Sequence, residues 1–198
     1  MISSPLKLGF LASKNGTSMR AIVDAARAGA LPAEPRLVVS NNRKAAALEF
    51  AAERGVPSLV IPTQSDPDAA DAALCAALES AGVELVILSG YLRHLGPLTL
   101  GRYRNRIINI HPGLLPAFGG EGMYGRRVHE AVIAAGAAES GATIHAVDEI
   151  YDHGPVIERR TVPVLPSDTA EALEARVAAM EPGFFIETLG RIATGDLR

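Results

Sequence analysis

A single cysteine, Cys75, is all that the chain carries, which excludes an internal disulfide and any multi-cysteine zinc site. It falls in an Ala/Leu-rich helical pattern and reads as core packing. No apolar run approaches the ~20 residues that cross a bilayer, and Met1 to Gly9 lacks a signal-peptide pattern. The expectation is a cytoplasmic protein with no membrane contact. Basic residues are in no excess: 19 Lys and Arg stand against 22 Asp and Glu, a formal charge of -3. That balance gives no general positive field for nucleic acid, although a local anion site stays open. The five histidines show no ligand spacing such as H-E-x-x-H, so no metal is expected. Of them, His94, His129 and His153 read as surface residues, and His145, on a strand candidate, as a core or interface residue.

Hydrophobic residues at 48% suffice for a core, charged residues at 21% are too few for disorder, and 198 residues suit one domain. The first half alternates short apolar runs with helix-length amphipathic segments, the pattern of crossover units that build a parallel sheet. Strands are predicted at 6–12, 36–40, 57–61, 84–89 and 106–111. Helices are predicted at 18–28, 44–54, 67–81 and 97–103; Gly55 ends the second as a left-handed cap. A Gly-rich loop at 117–125, a helix at 126–135, strands at 143–147 and 156–164 and a helix from Thr169 complete the chain. The predicted fold is α/β: a single Rossmann-like domain with a mostly parallel twisted sheet flanked by helices, a hairpin-like extension and a final helix. No internal repeat, low-complexity tract or linker is evident.

Ligands of open α/β sheets sit beyond the carboxyl ends of the parallel strands, and three polar segments fall there: 13–18, 89–94 and 109–116. The first, Ser13-Lys14-Asn15-Gly16-Thr17-Ser18, joins a strand to a helix, so backbone N–H groups and the helix dipole can hold an anion such as phosphate. It matches neither the dinucleotide fingerprint nor the P-loop, and a tight Asn-Gly turn with a Ser or Thr cap explains it equally. In Asn109-Ile110-His111-Pro112, strand alternation puts Asn109 and His111 on one face. An amide donor and a proton-exchanging imidazole together suit acyl transfer, although a satisfied pair at a strand end has the same look. Asp152 lies in the turn Tyr151-Asp152-His153-Gly154-Pro155; it either caps its own backbone or, if the fold brings it beside His111, orients the imidazole.

Taken in order, Asn15-Gly16-Thr17-Ser18, Gly90-Tyr91-Leu92-Arg93, Asn109-Ile110-His111-Pro112-Gly113-Leu114-Leu115-Pro116 and Asp152-His153-Gly154-Pro155 resemble the phosphoribosylglycinamide formyltransferases, a family of the folate-dependent formyltransferase superfamily. The likeness spans nearly the whole chain. It implies transfer of a formyl group from N10-formyltetrahydrofolate, a cosubstrate, to the primary amine of glycinamide ribonucleotide, in purine synthesis and without a metal. By the same likeness Asn109, His111 and Asp152 are catalytic, and Asn15, Gly16, Thr17 and Ser18 bind the substrate phosphate. Glu181 binds the ribose hydroxyls. Leu92, Arg93, Leu95, Val147 and Asp152 serve the folate. Residues 1–105 then form a phosphate-binding half and 106–198 a catalytic and folate-binding half, in a monomer or homodimer whose partners are small molecules.

The sequence departs from the commonest family pattern at four positions and in one loop. Lys14 stands for glycine, Ser18 for asparagine, His94 for an apolar residue and Met180 for a polar one, and the loop 117–125 is longer than usual. Its glycines suggest a mobile flap. Two neighbours within the superfamily, a formyltetrahydrofolate hydrolase and transferases acting on a sugar amine or methionyl-tRNA, are disfavoured by length and, for tRNA, by charge. A noncatalytic folate or nucleotide binding module is disfavoured because binding alone does not require Asn109, His111 and Asp152 together.

Overall fold

The computed structural model describes residues 4–197. Five strand–helix alternations are followed by two antiparallel strands and a long helix: β1 (Leu6–Leu11), α1 (Thr17–Arg27), β2 (Ala33–Ser40), α2 (Ala46–Glu53), β3 (Ser58–Val60), α3 (Pro67–Ser80), β4 (Leu85–Leu88), α4 (Pro97–Arg102), β5 (Ile107–His111), α5 (Arg126–Ala134), β6 (Glu139–Ala146), β7 (Val156–Pro163) and α6 (Ala170–Thr194). One seven-stranded sheet runs in the order β3-β2-β1-β4-β5-β6-β7. The first five strands are mutually parallel, and β6 and β7 pair antiparallel. The hairpin therefore extends the same sheet instead of standing apart from it.

Strand β4, Leu-Val-Ile-Leu, is buried on both faces, as a central parallel strand must be when helices cover both sides. Alternation along β1 sends Leu8 and Phe10 into a core with Met19, Ile22, Val177, Phe184 and Phe185, under α1 and α6. Leu11 faces the opposite layer, with Leu74, Leu78, Val86 and Tyr103 from α3, β4 and the end of α4. Gly9 lets α3 approach: a Cβ there would lie 2.9 Å from both Leu78 Cδ2 and Val83 Cγ1. Helix ends follow local chemistry. Asp66 accepts from Ala69 N at 3.0 Å with Pro67 opening α3, and Thr169 accepts from Ala172 N at 3.2 Å to open α6.

Two strands begin earlier than the apolar pattern predicts. β2 starts at Ala33 and passes Pro35 through a register shift, where β1 skips Arg36, so the missing proline N–H falls at an irregularity of the ladder. β6 starts at Glu139 because Glu139-Ser140-Gly141 pairs with β7, and Gly141 has no room for a side chain: a Cβ would sit 2.0 Å from Arg160 O. Two single-residue readings are also corrected. Cys75 is only half-buried, on the α3 face toward Leu98, not in the core. His129 is buried, and its Nδ1 has no hydrogen-bond partner, because α5 turns that face inward beneath α6.

Candidate active site

The crossovers from β1 run to β2 and β3 on one side and return to β4 and β5 on the other, so loops diverge from the carboxyl ends of β1 and β4 and leave a crevice between them. Three polar segments meet at that end. Helix α1 begins after Gly16, whose φ of 63° favours a residue without Cβ, and no side chain caps the helix. The capping alternative is therefore not realised. The amides of Gly16, Thr17 and Ser18 have no acceptor among the described residues. Three such donors at the positive end of an 11-residue helix form a cradle for an anion. Lys14, Asn15 and Thr17 are exposed around it, and Gly16 and Ser18 are buried beneath.

At the end of β5, Asn109 and His111 share a face, and the turn after β6 brings Asp152 to them. Asp152 Oδ2 lies 3.3 Å from His111 Nδ1 and accepts from Gly120 N at 3.0 Å. Its backbone is left-handed, φ 55°, a conformation aspartate tolerates better than most residues. Gly154 is required two residues later, because a Cβ would lie 2.0 Å from Ala146 O. His111 is 3% exposed and its Nε2 lies 2.6 Å from Phe118 O. The Nδ1 edge of the ring thus faces the Asp152 carboxylate and the Nε2 edge the Phe118 carbonyl.

His145 completes the cluster and is the residue whose role the sequence left undecided. It is buried on β6 opposite Asn109. Its Nδ1 donates to Ala146 O at 2.9 Å, which leaves Nε2 as an acceptor for Asn109 Nδ2 at 3.3 Å. Burial pushes the His145 pKa down, with the Asp152 charge 3.5 Å away pulling in the other direction. A neutral His145 therefore orients the Asn109 amide, whose second N–H is free to point at a ligand. Thr143, also unmarked by the sequence, fixes the loop beyond His111: its hydroxyl donates to Gly113 O at 2.7 Å and accepts from Leu115 N at 3.1 Å.

The residues assigned to folate by resemblance divide between two cavities. Arg93 and Leu95 line one of about 290 Å³, with Gln64, Asp68, Tyr91 and His94. Val147 lines the other, of about 460 Å³, with Pro97, Leu100, Ala146, Ile150 and Pro155. Leu92 is exposed and lines neither cavity. His94 packs against Tyr151, ring centroids 4.1 Å apart and planes tilted by 43°. The second cavity adjoins the Asp152 turn and combines its apolar residues with Arg104, Asn105, Asp148, Glu149 and His153. Glu181 lies apart, half-buried on α6, which packs along α1. It has no hydrogen-bond or ionic partner among the described residues, and burial pushes its pKa up to about 7. No group of three or more His, Cys, Asp or Glu among the described residues is placed to hold a metal, and no described helix is long and apolar enough to cross a membrane.

Residues 6–189 match the family model described as formyl transferase. The chain is 40% identical over 185 residues to a chloroplastic phosphoribosylglycinamide formyltransferase of Vigna unguiculata, covering 92% of this chain and 59% of that protein. It is 38% identical over 194 residues to the phosphoribosylglycinamide formyltransferase of Mycobacterium tuberculosis, covering 97% of this chain and 87% of the relative. Among solved structures, glycinamide ribonucleotide transformylase 1 from Symbiobacterium toebii superposes with a TM-score of 0.87 at 36% identity, over 97% of this chain and 89% of that one.

Proposed function

The chain belongs to the formyl transferase family, and from that premise we propose that it transfers the formyl group of N10-formyltetrahydrofolate to the amine of glycinamide ribonucleotide, giving formylglycinamide ribonucleotide and tetrahydrofolate. The observation that carries this reading is the convergence of Asn109, His111 and Asp152, with His145 between Asn109 and Asp152, at the end of β5. In the reaction the amine attacks the formyl carbon, a C–N bond forms, and the formyl oxygen takes negative charge. Asn109, held by His145, and the His111 imidazolium supply preorganised donors to that oxygen, and Asp152 stabilises the imidazolium. His111 Nε2 exchanges the Phe118 carbonyl for the substrate oxygen, so the loop at 117–125 shifts on binding. The bond from the formyl carbon to N10 then breaks, and the proton lost by the attacking amine ends on N10. His111, Asp152 and an ordered water are the carriers available for it.

In this reading Asn15, Gly16, Thr17 and Ser18 hold the substrate phosphate, and Glu181 accepts from the ribose hydroxyls. Val147 and the backbone up to Asp152 meet the pterin, and Leu92, Arg93 and Leu95 the remainder of the folate. Residues 1–105 then carry mainly the phosphate site and 106–198 the chemistry. The enzyme acts in the cytoplasm as a monomer or homodimer on small molecules, without nucleic acid. Mass spectrometry of a reaction with formyl-labelled folate tests the acceptor. Label in the ribonucleotide supports the reading; label released as formate, or passed only to another amine, overturns it.

A further inference from the structure

The folate-side segment between β4 and α4 has little secondary structure of its own, yet its Leu92 amide is bound by a side chain from the opposite substrate loop. Ser13, 5% exposed, accepts from Leu92 N at 2.8 Å through the same Oγ that donates to Asn41 Oδ1 at 2.6 Å. Its main chain is engaged as well: Ser13 N donates to Gly90 O at 3.1 Å, and Ser13 O accepts from Asn42 Nδ2 at 3.2 Å. One hydroxyl thus joins the loop that opens the anion cradle, the loop after β2, and the strip carrying Leu92, Arg93 and Leu95. The strip is pinned at its other end by a group that touches neither of those loops. Asp71, buried on α3, accepts from Leu98 N at 2.8 Å and Thr99 N at 3.1 Å, and a Cβ on Gly96 would lie 2.3 Å from its carboxylate.

We propose that Ser13 is a positioning residue that ties the two substrate sites together, so that the phosphate cradle and the Leu92–Leu95 strip keep one fixed spacing. The inference rests on the functional reading above. A hydroxyl is suited to the task because it donates and accepts at once, and the buried Ser13 Oγ is the acceptor that the Leu92 amide uses. A tie between the sites makes their occupancy thermodynamically linked, each substrate feeling a change in the other's loop.

Steady-state kinetics of Ser13→Ala and Asp71→Asn, with amide hydrogen exchange at Leu92, test the proposal. In Ser13→Ala both KM values are expected to rise about tenfold, the equivalent of one hydrogen bond to a buried group, with kcat within about threefold of the parent. Exchange at the Leu92 amide accelerates while that at Leu98 and Thr99 does not. In Asp71→Asn only the KM for the formyl folate rises. If the alanine protein does not fold, Ser13→Cys, which keeps the volume and donates weakly, carries the same comparison. A Ser13 variant that shifts one KM alone, or neither, overturns the proposal, as does Asp71→Asn raising both equally. Absence of ribonucleotide-dependent turnover in the parent protein overturns the functional reading and this inference with it. Parent turnover with an unshifted Ser13 variant overturns this inference alone.

Discussion

Replacing Asp152 by asparagine keeps the shape of the side chain and removes its charge. Asparagine also tolerates the left-handed backbone at that position, so the turn can be retained. Asp152 Oδ2 stands 3.3 Å from His111 Nδ1, and at an effective dielectric of ~20 a carboxylate and an imidazolium at that distance attract by about 5 kcal/mol. The neutral amide keeps part of the hydrogen bonding, which leaves about 3–4 kcal/mol lost from the transition state, or roughly 10²–10³ in kcat. The KM for glycinamide ribonucleotide should stay within about threefold, because the group acts on the charge that develops in the reaction and not on the phosphate or ribose. Initial rates at saturating substrates, with a thermal melt to confirm folding, measure this. A folded variant that loses less than about tenfold in kcat would refute the claim that the Asp152 charge supports His111.

Three further outcomes follow from the same geometry. His111→Ala should lower kcat by about 10³ or more while calorimetric binding of the ribonucleotide stays near that of the parent; near-normal turnover removes His111 from the chemistry. Gly154→Ala forces a Cβ to within 2.0 Å of Ala146 O, so the urea midpoint should fall by the equivalent of about 1–3 kcal/mol, and an unchanged midpoint would mean the turn relaxes freely. Glu181 has a carboxyl pKa raised in the fold from 4.5 to about 7, so the folded state holds its proton more tightly than the unfolded chain. Its contribution to stability is thus lost as pH rises between those two values. Glu181→Gln should flatten that slope in urea melts, and in the parent the ribonucleotide should bind more tightly as pH rises through about 7; a slope unchanged in the variant contradicts the assignment.

The element order was readable because the apolar spacing is regular. Met19, Ile22 and Val23 mark the buried face of α1, and Leu85 to Leu88 mark a strand covered on both sides. The early start of β6 was hidden since Glu139, Ser140 and Gly141 carry no apolar signal; a close backbone partner holds them in the sheet. At the site, Asn109, His111 and Asp152 were legible as types and motifs, yet 41 residues separate His111 from Asp152, and only the antiparallel return of β6 closes that gap. His145 differs: alternation could place it on a strand but not decide between core and interface, which depends on the packing around the sheet. A search for buried histidines one strand over from the Asn-x-His face would have singled it out. Ser13 and Asp71 left no local trace either, because their partners lie 79 and 27 residues away.

The rate of formyl loss from N10-formyltetrahydrofolate, measured with and without glycinamide ribonucleotide, bears most directly on the proposed chemistry. Direct transfer to an amine held beside Asn109 and His111 predicts formyl loss that requires the ribonucleotide and matches formylglycinamide ribonucleotide formed mole for mole. Equal rates with and without it would contradict transfer and make the protein a hydrolase.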